Sequence, residues 1–396
     1  MKRNDYFIPY GRQLIDEDDI ASVIKTLKSE FITQGPEIEI FENEISKKVS
    51  AKYSTAVNSG TSALHLACLA LGTKKGDIVW TSPISFVASA NCALYCGADI
   101  DFVDIDKNTG RISTIELERK LRKARKNNKL PKLLIVVHLA GTACDMEGIY
   151  KLSLEYKFEI IEDASHALGG KYKDNPIGNC RFSKICTFSF HPVKIITTGE
   201  GGLITTNDEL LDKKIKDFRS HGIVKDKNRL YYKDHGPWYY EQHRLGFNYR
   251  MTDIQASLGI SQLKKLDSFV QKRNTIYNYY LDIFSELPIK LNPIPDNTYS
   301  SLHLAIVSFK EKLTPKKYKI IFNEMRSQKI GVQLHYNPIH LNPYYKSLGF
   351  KEGQFPKAEI YSYNNFSIPL FSEITFEEAN RVKESLIYAM ERASLK

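Results

Sequence analysis

Residues 132–163 read KLLIVVHLAGTACDMEGIYKLSLEYKFEIIED. The opening run is almost continuously apolar. A strand with one wet face alternates apolar and polar side chains, so an unbroken run belongs to a strand covered on both faces. Residues 147–157 then carry helical spacing, and FEIIED at 158–163 returns to a second short strand that ends on a carboxylate. A strand, a crossover helix and a second strand form the unit that parallel pairing needs.

The same alternation extends outward from this unit. On the N-terminal side, strands are predicted at 55–58, 77–82 and 99–105. Helices are predicted at 59–72, ended by Gly72, at 85–97, ended by Gly97, and at 114–126. Before them come an extended arm (1–13), a helix (16–27) headed by the acidic run at 16–19, and a second helix running from the Gly35-Pro36 turn to residue 49. On the C-terminal side a helix is predicted at 210–218. The stretch 226–253 is too long and too rich in Tyr and Trp for an ordinary connection, and it reads as a functional loop. One long helix at 252–281 is expected to cross into a smaller C-terminal domain. There 288–297 reads as a turn, 302–309 and 331–336 as strands, and 315–328 and 376–391 as helices. The fold class is therefore α/β: a mainly parallel sheet in a large domain (1–255, with the arm) plus a smaller α/β domain (256–396).

The 396 residues suffice for two domains in close contact, and 42% hydrophobic with 26% charged residues is ordinary globular composition. The net charge of +10 is scattered. Its one dense cluster, at 120–126, has no interleaved aromatics and reads as a solvated helix end, so no nucleic-acid partner is expected. The six cysteines form no CxxC pair, which points to reduced thiols and to no metal; Cys92 and Cys96, a turn apart, read as core packing. The N-terminus lacks the apolar segment of a signal peptide, and no apolar run could span a membrane. A cytoplasmic location is expected.

The chemistry-bearing residues follow strands, where ligands of such sheets bind. Asn58-Ser59-Gly60-Thr61-Ser62 opens a helix, whose free N–H groups and hydroxyls could hold phosphate or simply be a cap. Phe86 could stack on a flat ring or pack in the core. Asp163 could face a cation or cap a helix. In FSFHPVKIITTGEGG (188–202), Lys194 lies among apolar neighbours that would lower its pKa and free its amine to condense with a carbonyl; a surface-loop lysine is the alternative. Together these four features match pyridoxal phosphate (PLP), a planar heteroaromatic phosphate that forms a Schiff base with lysine and needs an acid at its ring nitrogen.

The strings NSGTSALHLA, EDASHALGG, FSFHPVKIITTGEGG and GFNYRMTDIQASLG resemble those of the DegT/DnrJ/EryC1/StrS sugar aminotransferases, and the resemblance runs over nearly the whole chain. SFVASAN, FRSHGIVK, GPWYYEQ and GVQLHYNPIH are most similar to the branch of that family that works in pseudaminic acid biosynthesis. The resemblance implies PLP-dependent transferase fold type I, aspartate aminotransferase-like. It implies amino transfer from glutamate to C4 of a UDP-linked 4-keto-6-deoxy N-acetylated sugar, in a homodimer with shared active sites. It assigns Lys194 as the Schiff-base lysine, Asp163 to the pyridinium nitrogen, His166 to the phenolic oxygen, Phe86 to the ring face, and Gly60, Thr61, Ser62 and Ser189 to the phosphate. Asn248 would reach in from the partner subunit. Sugar-nucleotide contacts would fall on Tyr10, Glu30, Phe31, Ile32, Thr33, Gly60, Gln333, Leu334, His335 and Tyr336. Dehydratases of this fold carry histidine where this chain has Lys194, and a non-catalytic regulator could have lost Asp163 or Lys194; both are present. Transfer at C3, or to a dTDP- or GDP-linked sugar, stays open.

Overall fold

The computed structural model describes residues 6–233 and 235–395. The first five residues of the predicted arm lie outside them. Its described part is held by Ile8, which pairs in parallel with Ile330.

The apolar run at 132–139 becomes strand β4 (Leu133–Val137), and every one of its residues is buried. It lies between β2 (Ile78–Thr81) and β5 (Glu159–Asp163), with β3 (Asp99–Phe102) at the edge beyond β2. All these pairings are parallel, as is that of β5 with the strand Ile185–Ser189. Strand Gly202–Thr206, for which the sequence reading predicts no element, runs antiparallel to Ile185–Ser189 and to β1 (Tyr53–Val57) at the other edge. The seven-stranded sheet is thus mainly parallel.

Seven helices accompany the sheet: α1 (Glu17–Leu27), α2 (Pro36–Val49), α3 (Gly60–Ala70), α4 (Ala88–Tyr95), α5 (Thr114–Lys126), α6 (Met146–Tyr156) and α7 (Glu209–Arg219). Two buried apolar clusters contain alternating residues of the strands: Leu134 and Val136 of β4 in one, Leu133 and Ile135 in the other. This is the packing an unbroken apolar strand requires. Helix α3 is apolar nearly all round because it packs on α4, α7 and the strands together.

The long helix expected at 252–281 is two helices, α8 (Asp253–Lys264) and α9 (Leu266–Ile283). They meet at Lys265, whose ammonium is drawn to Asp16 and Asp19, 2.7 Å from each. Three further expectations change in the C-terminal part. Within the predicted turn, Ile289–Leu291 is a strand paired antiparallel with Ala305–Phe309, because Ile289 and Leu291 alternate inward. The predicted strand 331–336 makes only the single bridge Gln333 to Ser367, since Gly331 is taken by the N-terminal arm. The third strand is Asn365–Ile368 instead. Helices Pro315–Ser327 and Phe376–Arg392 cover this small sheet over a third apolar cluster.

Candidate active site

A cavity of about 490 Å³ opens beyond the carboxyl ends of β2, β4 and β5. Its walls bring together Gly60, Thr61, Phe86, Asp163, His166, Ser189, Lys194, Tyr10, Gln333, His335 and Tyr336, residues scattered over most of the chain. Ser62, Leu334, Asn248 and the 30–33 segment do not line it in the single chain. Ser62 is drawn away because its hydroxyl donates to Asn58 Oδ1 at 2.6 Å, inside the helix cap. Asn248 pairs with Ser220, while Phe31 and Ile32 are half exposed on the surface.

One end of the cavity is a helix start. Ser59 caps α3 through a hydrogen bond from Ser62 N–H, and the first N–H groups of the helix have no intrahelical acceptor. Gly60 stands here because Ser189 presses against it: a Cβ at Gly60 would lie 2.8 Å from Ser189 Cβ. A larger residue would fill the cradle that the N–H groups and the Thr61 and Ser189 hydroxyls surround.

Asp163 forms the floor. Its Oδ2 accepts the Ser89 hydroxyl at 2.6 Å, and its Oδ1 accepts the Ser165 hydroxyl at 2.6 Å and the Ser165 N–H at 3.1 Å. Ser89 is in turn tied to Ser85 at 2.7 Å. The Ser85–Ser89 pair was not legible as functional, because serines one turn apart are a common capping pattern.

Lys194 enters from the turn after Ile185–Ser189. Its N–H bonds the His191 carbonyl at 2.8 Å. Burial pushes its ammonium down to about 8, against the opposing pull of the Asp163 carboxylate. About a tenth of the amine is then free at pH 7, far more than for an ordinary lysine, as nucleophilic lysine chemistry needs.

Four imidazoles line the same cavity, and three of them, His166, His303 and His335, are buried. Burial pushes His166 well below the ordinary histidine range, and Lys194 adds to the effect. Ala140 N–H donates to His166 Nδ1 at 3.3 Å, so the proton of the neutral ring sits on Nε2, which faces the Tyr336 oxygen at 3.1 Å. His303, which sequence reading missed, packs on His166 with ring centroids 4.3 Å apart. His335 is pushed down to about 3 by burial and is bonded to Ser367 at 2.8 Å. Phe86 is 59% exposed and leaves a ring face free above the floor. The acid floor, basic lysine, open aromatic face and phosphate cradle fit the donor set that a pyridoxal phosphate requires.

The comparison with known proteins decides the family. Residues 13–387 match the DegT/DnrJ/EryC1/StrS aminotransferase family. This chain belongs to that family. Among its relatives, this aminotransferase is 39% identical over 387 residues to the UDP-4-amino-4,6-dideoxy-N-acetyl-beta-L-altrosamine transaminase of Campylobacter jejuni, covering 97% of this chain and 98% of the relative. Its fold matches the Helicobacter pylori aminotransferase involved in the biosynthesis of pseudoaminic acid, with TM-score 0.89, 31% identity, and 97% and 99% coverage. It also matches a Streptococcus pneumoniae chain, classed with the sugar aminotransferases, in its PLP form: TM-score 0.89, 28% identity, 98% and 100% coverage. Among the described residues no helix is long and apolar enough to cross a membrane.

Proposed function

We propose that this aminotransferase, with pyridoxal phosphate as its cofactor, moves an amino group from glutamate to C4 of a UDP-linked 4-keto-6-deoxy-N-acetylhexosamine, in pseudaminic acid biosynthesis. The observation that carries the reading is the pair of a half-buried, partly neutral Lys194 and a buried Asp163 at the end of the neighbouring strand. The likeness to the Campylobacter transaminase supports the choice of sugar.

The residues divide the work as follows. Asp163, fixed by Ser89 and Ser165, holds a proton at the cofactor's ring nitrogen. The bound cofactor supplies an electron sink for a carbanion at the reacting carbon. Lys194 Nζ takes the proton from the donor's α-carbon, and in the second half it returns one to C4 of the sugar. His166, donor at Nε2, orients groups on the phenolic side, with Tyr336 opposite. Thr61, Ser189 and the α3 start hold phosphate, and Phe86 covers one face of the ring. Tyr10, Gln333, His335 and Tyr336 border the space for the sugar nucleotide.

We further propose a cytoplasmic homodimer in which Asn248 and the segment Glu30, Phe31, Ile32, Thr33 complete the partner's cavity. The parts 1–255 and 256–396 would be the two domains. A panel of UDP-, dTDP- and GDP-linked keto-sugars with labelled glutamate tests the function. Label should enter the UDP-linked 4-keto sugar; transfer only to another sugar would overturn the substrate, and none to any would overturn the activity.

A further inference from the structure

The C-terminal part grips the loops around His166 through the segment 300–304, every residue of which is buried. Ser301 donates its hydroxyl to the His166 carbonyl at 2.8 Å and its N–H to the Gly141 carbonyl at 3.1 Å. Ser300 Oγ accepts the Thr142 hydroxyl at 2.9 Å and the Leu302 N–H at 3.1 Å. Leu302 stands at φ 52°, in the left-handed region that a residue with a Cβ enters at a cost, so these bonds hold a strained backbone. Arg273 of α9 closes the grip. It is buried, and its guanidinium donates to the Leu370 carbonyl at 2.8 Å and reaches those of Leu302 and His303 at 3.4 and 3.5 Å. The strained turn delivers one ring to the cavity wall: His303 lies against His166 with centroids 4.3 Å apart and planes tilted by 47°. His303 Nδ1 is buried without a partner among the described residues. Ring contact, and not a bond from that nitrogen, is what His303 offers His166.

Given the transfer reaction proposed for this cavity, we infer that His303 is a positioning residue for it. Its ring is the wall that keeps His166 turned with Nδ1 toward the Ala140 N–H and Nε2 toward Tyr336 and the cavity. An imidazole has a broad, two-fold torsion about its Cβ–Cγ bond, and a flip exchanges the edges that carry its two nitrogens. After such a flip the N–H donor no longer faces the cavity. The Ala140 N–H resists the flip at one point, at 3.3 Å. A ring packed on the flank of His166 blocks the arc that the flip must sweep, since a close-packed wall leaves no room for it. Ala140 and His166 follow β4 and β5, whereas His303 and Arg273 belong to the C-terminal part. The orientation of His166 therefore depends on the two parts staying docked. Strain at Leu302 sits at the turn that places this ring, as backbone strain does where it serves a site.

The test substitutes position 303 in the full-length protein. Nitrogen NMR of the histidine-labelled protein, as purified, reads His166 directly, with its signal assigned by its loss in His166→Asn. Wild type should show one neutral ring with the proton on Nε2, and His303→Ala should show both tautomers in exchange. With labelled glutamate and the keto-sugar, His303→Ala should lower kcat about tenfold at unchanged KM. His303→Phe keeps a flat ring and should restore the single tautomer and most of kcat. His303→Gln keeps a polar N–H without a ring and should restore neither. If His303→Ala does not fold, the Phe and Gln variants decide between ring contact and hydrogen bond. An unchanged His166 signal in His303→Ala, or rescue by Gln and not by Phe, would overturn the positioning role. Absence of transfer in the wild type would instead overturn the reaction, and the NMR signals would still decide what His303 does to His166.

Discussion

Ser89 donates its hydroxyl to Oδ2 of Asp163 across 2.6 Å, joining the first turn of α4 to the end of β5. With Ser165 on the other oxygen, the carboxylate is held in one orientation. Ser89→Ala should cost about 1 kcal/mol of stability and let Asp163 swing. Asp163→Asn should keep the fold and abolish transfer. Urea unfolding and turnover separate the two effects; an unfolded Asp163→Asn protein would mean that the carboxylate is structural.

Lys194 should behave as a titrating nucleophile with a midpoint near 8. Because its folded pKa lies below that of the unfolded chain, the protein binds fewer protons when folded, and stability from this group rises with pH from about 8 toward 10.5. Asp163 supports the charged form, so Asp163→Asn should lower the midpoint further. The rate of Lys194 acylation against pH, read by peptide mapping, checks both statements. Lys194→Ala should reduce turnover at least about a hundredfold.

Gly60→Ala should weaken cofactor retention without unfolding the chain, because the new methyl would meet Ser189 Cβ at 2.8 Å. The clash involves Cβ, so a second change of Ser189→Ala should not relieve it, whereas Ser189→Gly should. Cofactor fluorescence during dialysis gives the loss for each variant.

Tyr336→Phe removes the partner of His166 Nε2 in a buried setting. The unsatisfied N–H should cost about 1–3 kcal/mol. Because Ala140 N–H still fixes Nδ1 as the acceptor, the tautomer should not change, and nitrogen NMR of the labelled histidine can confirm this. A switch of tautomer would show that Tyr336, and not Ala140, sets it.

Much of the sheet was legible because β4 and β5 carry their environment in their composition: five buried residues in a row admit one kind of strand. Gly202–Thr206 was not, since the short run GLITT carries no periodicity of its own and becomes a strand only by pairing with β1 and Ile185–Ser189. The kink at Lys265 depends on Asp16 and Asp19, some 250 residues away, and no local pattern records it. His303 gave no signal at all, because a lone histidine before a strand looks the same whether it packs on leucine or on His166.

The sequence by itself determined the chemistry available to this protein: a lysine among apolar neighbours, a strand-end carboxylate, a helix start rich in hydroxyls, and the family strings around them. These are local facts, set by side-chain type and by the period of the backbone. Tertiary structure decided which of them meet. It moved Ser62 into a cap and left Asn248 and residues 30–33 outside the single-chain cavity. It fixed the proton of His166 through an N–H from a different loop. Desolvation and long-range hydrogen bonds depend on what lies across the fold, and it is desolvation that lowers the pKa of Lys194.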